Sequence, residues 1–186
     1  MRRVNAEYIF SLYKEYHVPQ KVVEHMVKVA EFSEKLCNKF IKKGLKINKN
    51  LVIQAALLHD LVRISDFRTI NLRKLKQKIN SKDLEKWIEL RKKHQKDGHA
   101  QAAYGILSNL GHKHIAKLVL NHALRRIGEL KTWEEKILYY ADKRVEGGRV
   151  VRLKTRLKNI QKRSAKHIEM EQEIFKLERE IKKALL

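Results

Sequence analysis

Residues 51–60 read LVIQAALLHD, a nearly continuous apolar segment that ends in two polar residues, His59 and Asp60. Asn50 precedes the segment and fits a helix N-cap, so we predict a helix over residues 51–61. A helix that is apolar on all sides is typical of the interior of a protein rather than its surface. The segment therefore predicts a central, buried helix with His59 and Asp60 at its end.

Apolar residues recur at helical spacing on both sides of this segment. Thr132 and Glu135 match a capping box that opens a helix over residues 133–145, which Gly147 and Gly148 then break. No segment shows the alternation of a strand, so we predict an all-α fold. Further helices are expected over residues 4–17, 19–44, 71–79, 81–95, 100–110 and 115–124 and from residue 150 onward, with 71–79 and 81–95 exposed and charged.

The length and composition of the chain limit the classes of protein to which it can belong. A chain of 186 residues, 43% of them hydrophobic, is long enough to bury the core of one domain. Cys37 is the only cysteine, so no intramolecular disulfide can form, which fits a reducing compartment. The sequence shows no signal peptide and no apolar run near the ~20 residues that span a bilayer. We therefore expect a cytoplasmic protein without a membrane span.

His59 and Asp60 carry the sharpest chemical signal. A buried histidine needs a hydrogen-bond partner, and a buried carboxylate needs a cation or a metal. Imidazole nitrogen and carboxylate oxygen together suit Mn, Fe, Zn, Co or Mg to differing degrees. The alternative is that both residues only cap the helix end and pair with Lys or Arg.

Two further polar residues lie in similar apolar surroundings. His25 falls on the apolar stripe of the helix over residues 19–44, and Asp142 ends the apolar stretch KILYYAD at 136–142. The burial argument applies to both, which makes them candidate metal ligands. The alternatives are a hydrogen-bonded core histidine and an ion pair of Asp142 with Lys143 or Arg144.

The order His25, then the adjacent pair His59-Asp60, then Asp142 resembles the HD superfamily of metal-dependent phosphohydrolases. The stretches HMVKVAE (25–31), AALLHDL (55–61) and ILYYAD (137–142) resemble the first helix, the signature helix and the closing aspartate helix of that family. The resemblance covers about residues 20–160. It implies a helical bundle in which these four residues hold a divalent metal, and hydrolysis of a phosphate ester or anhydride by a metal-activated water.

His99 and His122 extend this resemblance. They lie in the stretches GHAQAA (98–103) and AKLVLNH (116–122), similar to positions that serve a second metal in HD proteins hydrolysing diadenosine tetraphosphate. The resemblance thus implies one or two ions of Mn, Fe, Co, Ni or Zn, with Mg as an alternative. In a dinuclear site, Asp60 would bridge the two ions.

The chain also departs from the family's pattern. Many members read HDIGK where residues 59–63 read HDLVR, so Arg63 stands where a lysine is frequent. Arginine binds phosphate in a bidentate manner but does not donate its proton. We expect Asp60 and Arg63 to be catalytic, and the candidates for contact with substrate phosphate are Arg63, Lys143, Arg144 and Arg149. Each cation has a solvated surface charge as its alternative role.

The charge of the chain is strongly positive, at +22, which attracts anions such as nucleotides and RNA. Residues 147–167 contain eight Lys or Arg and no acidic residue. We expect an HD phosphohydrolase domain over residues 1–160, with a charged C-terminal helix over 161–186 packing on it. The expected substrate is a nucleotide or another phosphorylated compound.

Two other interpretations stay open. The first is a basic helical RNA-binding protein, with a structural or vestigial metal site and an RNA contact through the basic C-terminal region. The second is an interaction module whose C-terminal helix drives assembly, for example into a homodimer.

Overall fold

A computed structural model describes residues 4–67, 78–161 and 170–186, and these residues form a helical bundle with one small β-hairpin. The all-α prediction is confirmed, while the helix predicted over residues 71–79 falls mostly outside the described residues. The helices are α1 (Ala6–Glu15), α2 (Gln20–Lys42), α3 (Lys49–Leu58), α4 (Ser81–His94), α5 (His99–Asn109), α6 (Lys113–Asn121), α7 (Trp133–Asp142), α8 (Leu153–Gln161) and α9 (Glu171–Leu185). Short 3-10 turns span Arg63–Asp66 and Leu124–Glu129.

Helix α3 lies at the centre of the bundle, as its apolar sequence predicts. It packs against α2, α6 and α7, and its residues Val52, Ala55 and Ala56 are fully buried. The predicted N-cap is wrong by two residues, because the side chain of Asn48, not Asn50, accepts a hydrogen bond from the backbone N–H of Leu51 at 3.1 Å. The helix therefore begins at Lys49 and ends at Leu58, directly before the polar pair.

Helix α4 is less exposed than its charged sequence predicts. Trp87 and Leu90 are buried, and the indole N–H of Trp87 donates to the carbonyl of His17 at 2.6 Å. This apolar side of α4 packs against the 3-10 turn Arg63–Asp66. Because that turn begins three residues after Asp60, α4 supports the chain where it leaves the central helix.

The predicted capping box of α7 is confirmed, and its acidic residue also connects two helices. The backbone N–H of Glu135 donates to the side chain of Thr132, and the Glu135 carboxylate accepts from the backbone N–H groups of Thr132 and Lys131. The same carboxylate accepts from the Asn121 amide at 2.8 Å, which fixes the end of α6 against the start of α7. Burial raises the pKa of Glu135, but these hydrogen bonds outweigh it and leave the pKa below its ordinary value.

Helix α7 ends at Asp142, three residues earlier than predicted, because the chain turns into a β-hairpin. Strands β1 (Val145–Glu146) and β2 (Arg149–Val150) pair antiparallel around Gly147 and Gly148. Both glycines have positive φ, +57° and +75°, a conformation that suits a tight hairpin turn. The sequence predicts no strand here because two-residue strands are too short to show alternation.

The C-terminal helices pack on the bundle through apolar side chains. Leu153 and Leu157 of α8 are buried, as are Ile174, Leu177 and Ile181 of α9. Helix α9 packs against α7 and α2. The domain boundary after residue 160 stays a prediction, and the basic segment over 147–167 is described only as far as residue 161. Within the described residues, no helix combines the length and the apolarity needed to cross a bilayer.

Candidate metal centre

Three helices bring their C-terminal ends to one point in the bundle. His59 is the C-cap of α3, His122 is the C-cap of α6, and Asp142 is the last residue of α7. His25 reaches the same point from the second turn of α2, and His99 reaches it as the first residue of α5. The structure thus gathers all six predicted ligand side chains, those of His25, His59, Asp60, His99, His122 and Asp142, into one cluster.

The carboxylate of Asp60 lies in the middle of this cluster, and its two oxygens face different histidines. Oδ2 lies 3.7 Å from Nε2 of His59 and 4.0 Å from Nε2 of His25. Oδ1 lies 3.1 Å from Nε2 of His99 and 3.7 Å from Nε2 of His122. Asp60 therefore divides the cluster into a first half, with His25 and His59, and a second half, with His99 and His122.

Asp142 completes the first half. Its Oδ1 lies 3.0 Å from Nε2 of His25 and 3.6 Å from Nε2 of His59. One ligand atom from each of His25, His59 and Asp142 falls within 4.8 Å of the others, and the same holds for His59, Asp60 and His122. Both groups, among the residues that the structure describes, have the donor atoms and the spacing to hold a metal ion.

Two buried histidines turn the same ring nitrogen towards Asp60. Nδ1–H of His59 donates to the carbonyl of Ala56 at 2.8 Å, and Nδ1–H of His122 donates to the carbonyl of Val119. These bonds leave Nε2 of each ring as the inward atom. Nε2 of His59 is buried and has no hydrogen-bond partner in the described part of the chain. A buried polar atom without a partner is costly, so the residues present fit a bound cation.

The charges in the cluster shift the pKa values of its members. Burial raises the pKa of Asp60, but His59, Arg63 and His99 outweigh it and hold that pKa well below its usual range. Burial lowers the pKa of His122 to about 4, so its ring is neutral near pH 7. Burial also lowers the pKa of His59, but the charges of Asp60 and Asp142 outweigh it and raise the pKa overall.

Asp66 is part of the second half and was not found from the sequence. Its Oδ2 accepts from Nδ1 of His99 at 2.5 Å, and its Oδ1 accepts from the backbone N–H of His99 at 2.8 Å. Asp66 thus caps α5 and orients the ring whose Nε2 faces Asp60. Metal-binding histidines commonly have a carboxylate partner of this kind on the second ring nitrogen.

The four predicted phosphate contacts divide into two groups, and the first lies at the cluster. The side chain of Arg63 is 38% exposed, its Nε lies 4.0 Å from Oδ2 of Asp60, and its Nη1 lies 3.4 Å from Asp66. Lys143 is buried, pairs with Oδ2 of Asp142 and donates to the carbonyl of His122 at 3.2 Å. Only Arg63 therefore combines a position at the cluster with access from solvent.

The side chains of Arg144 and Arg149 have no contact with the cluster among the described residues, and their assignment as phosphate contacts stays a prediction. The guanidinium of Arg144 donates to the carbonyl of Val151 at 2.6 Å and to the hydroxyl of Tyr140, and it lies 3.5 Å from Glu178. These contacts join α7, the hairpin and α9. Arg149 is exposed on β2, and no contact within the described residues connects it with the cluster. The sequence gives the charge of these two side chains but does not show which residues they contact.

Comparison with known protein families agrees with this geometry. The model of the HD domain family matches residues 22–146, which include His25, His59, Asp60 and Asp142. The chain belongs to the HD domain family, whose members are generally metal-dependent hydrolases. No curated protein and no solved structure matches the chain.

Proposed function

We propose that the protein is a metal-dependent phosphohydrolase that cleaves a phosphate ester or anhydride bond in a nucleotide-like substrate. The observation that carries this proposal is the position of Asp60, whose two oxygens face two separate sets of histidines. Such a carboxylate suits a bridge between two divalent ions. We further propose that the ions are Mn, Fe, Co, Ni or Zn, with Mg as an alternative, because imidazole and carboxylate ligands suit these metals.

Each half of the cluster would hold one ion. His25, His59 and Asp142 would hold the first, and His99 and His122 would hold the second, with Asp60 shared between them. Divalent ions in such a site supply Lewis acidity, which polarises phosphoryl oxygens and acidifies water.

The other roles in the proposed reaction belong to side chains of the protein. The hydrogen bonds from Nδ1 of His59 and His122 to backbone carbonyls fix the ring tautomers, so that Nε2 stays available as a ligand. Lys143 neutralises part of the charge of Asp142. Asp60, which stays ionised, accepts a hydrogen bond from the attacking water and orients it.

Arg63 is the side chain that we propose for contact with the substrate phosphate. It lies beside Asp60 at the edge of the cluster and is partly open to solvent, where an anion can approach it. A guanidinium pairs with two phosphate oxygens at once and stabilises the charge on them. Because arginine stays protonated, the leaving group would take its proton from water rather than from Arg63.

The proposal is tested by metal content and phosphate release. Protein purified without a histidine tag is analysed for its elements and screened for phosphate release from nucleotides, dinucleotides and simple phosphate esters. We expect about one to two metal equivalents per chain and activity with at least one nucleotide. Asp60→Ala should lose the metal and on the order of 100-fold or more in activity.

Asp97→Ala is the matched control, because Asp97 is an exposed aspartate outside the cluster. This variant should keep both the metal and the activity of the wild type. A wild-type protein that stays free of metal after incubation with Mn or Fe, and that releases no phosphate, would rule the proposal out.

A further inference from the structure

A cavity with a strongly cationic lining lies beside α6, between α5 and the segment that leads to α7. Its volume is about 550 Å³, within the usual size of small-molecule sites. None of its lining residues belongs to the metal cluster. The lining consists of Tyr104, Lys113, His114, Lys117, Leu120, Asn121, Arg126, Glu129 and Lys131, and we call this cavity the α6 groove.

Positive charge dominates the α6 groove. Four cationic side chains, of Lys113, Lys117, Arg126 and Lys131, surround it, against the single acidic side chain of Glu129. None of these four cations forms an ion pair with a carboxylate of the described residues. A cleft lined by one sign of charge concentrates the electric field and attracts the opposite charge. An anion in the groove would relieve the mutual repulsion of the four side chains.

Arg126 distinguishes the α6 groove from an ordinary lysine-rich surface. Its Nε–H donates to the Asn121 side-chain oxygen at 3.0 Å, and the Asn121 amide donates to Glu135 at 2.8 Å. Asn121 and Glu135 are both buried, so their hydrogen bonds hold the half-buried guanidinium in place. The Nη groups of Arg126 have no hydrogen-bond partner among the described residues. A fixed guanidinium with free Nη groups is suited to bind phosphate in a bidentate manner.

We propose that the α6 groove is a second ligand site, which takes the phosphate chain of a nucleoside di- or triphosphate. Arg126 and Lys117 line the groove together with Lys113 and Lys131. Four cations match a ligand that carries three or four negative charges better than they match a single phosphate. Tyr104 and Leu120 also line the groove and offer apolar surface for the base. The ligand here is not the substrate of the metal cluster, and the proposal does not depend on the proposed hydrolase activity.

The test is calorimetric titration of the full-length protein with ATP and with inorganic tripolyphosphate, both in EDTA so that no metal takes part. The double variant Lys113→Gln/Lys117→Gln should weaken binding of both ligands about tenfold or more, since it removes two charged contacts. Its matched control is Lys39→Gln/Lys42→Gln on α2, which removes the same charge from exposed positions outside the groove and should change binding less than about twofold.

Two further variants test whether ATP binds in the α6 groove rather than at the candidate metal centre. Arg126→Lys keeps the charge but loses the fixed guanidinium, so it should also weaken binding. Asp60→Ala should bind ATP in EDTA as the wild type does. The proposal is overturned if both lysine pairs have equal effects, or if Asp60→Ala abolishes binding and the groove variant does not. It is also overturned if single-stranded oligouridine binds with an affinity that grows with length while ATP and tripolyphosphate do not bind.

Discussion

Asp66 contacts His99 through both of its carboxylate oxygens, one on the ring Nδ1 at 2.5 Å and one on the backbone N–H at 2.8 Å. The two contacts tie the 3-10 turn after the central helix to the first residue of α5. They fix both the position and the rotation of the His99 ring. A residue in the turn thereby sets the geometry of the second half of the cluster of candidate metal ligands.

Replacement of Asp66 should weaken metal binding without removing a ligand. In Asp66→Ala, the His99 ring loses its orienting carboxylate, and we expect metal affinity to fall by about 10- to 100-fold. Titration of the metal-free protein with Mn²⁺ or Zn²⁺ measures this affinity directly. Asp97→Ala serves as the control. An unchanged affinity in Asp66→Ala would contradict the role of Asp66 in orienting a metal ligand.

The two halves of the cluster should be separable by single substitutions. His25→Ala removes a ligand of the first half only, and His99→Ala removes a ligand of the second half only. We expect each variant to lose about one metal equivalent, while Asp60→Ala loses about two. Elemental analysis measures the content, with His94→Ala on α4 as the control. If His99→Ala keeps all of its metal, the site is mononuclear and lies in the first half.

Replacement by glutamine should lower activity at Arg63 and stability at Arg144. Arg63→Gln removes the partly exposed cation beside Asp60, so we expect kcat/KM to fall by on the order of 100-fold with little change in Tm. Arg144→Gln breaks hydrogen bonds between α7, the hairpin and α9, so we expect a loss of about 1–3 kcal/mol in the free energy of unfolding. Steady-state kinetics measure kcat/KM for both variants, and thermal melts measure their stability. Equal kinetic losses in the two would contradict this division of roles.

Glu135→Gln should destabilise the protein in a pH-dependent way. The carboxylate accepts from two backbone N–H groups and from Asn121, and its replacement should cost about 1–3 kcal/mol at pH 7. Because the folded pKa lies below the ordinary 4.5, this stabilisation is present above pH 4.5 and is lost as the pH falls through the folded value. Urea unfolding at several pH values should show the two proteins converging in acid. Glu85→Gln, at an exposed position of α4, should show no such difference.

Cys37 should be inert in the folded protein. Its side chain is fully buried in α2, and burial raises the pKa of the thiol to about 12, so almost no thiolate forms near neutral pH. We expect a thiol reagent to label the native protein only at the rate of unfolding, and to label it at once in urea. Rapid and complete labelling in native buffer would contradict the packing of α2.

Burial of polar residues in apolar segments, together with the resemblance to the HD family, is enough to choose six side chains that the structure brings together. His59 and Asp60 end the most apolar segment of the chain, and Asp142 ends another, so the cost of their burial identifies them. The capping box of Thr132 and Glu135 and the central position of α3 follow from equally local patterns. That the six side chains bind metal stays a prediction.

Features that depend on tertiary contacts are not visible in the sequence. Asp66 lies in a segment that reads as a loop, and its partner His99 follows 33 residues later. His112 directly follows a glycine in a polar stretch, and it is buried against the ring of Tyr8. Asn48, rather than the predicted Asn50, is the N-cap of α3, and its backbone N–H donates to the carboxylate of Glu134 at 2.8 Å. In each case the deciding contact comes from a distant part of the chain.

The three helices that end at the cluster have an electrostatic consequence. The C-terminal end of a helix carries a partial negative charge, and α3, α6 and α7 all direct that end at the same point, beside two ionised aspartates. Over long distances, a chain of net charge +22 repels cations and draws anions to its surface. Near Asp60, the three helix ends and the carboxylates of Asp60 and Asp142 oppose that positive charge. A chain of net positive charge can therefore still contain a local arrangement of groups that favours a divalent cation.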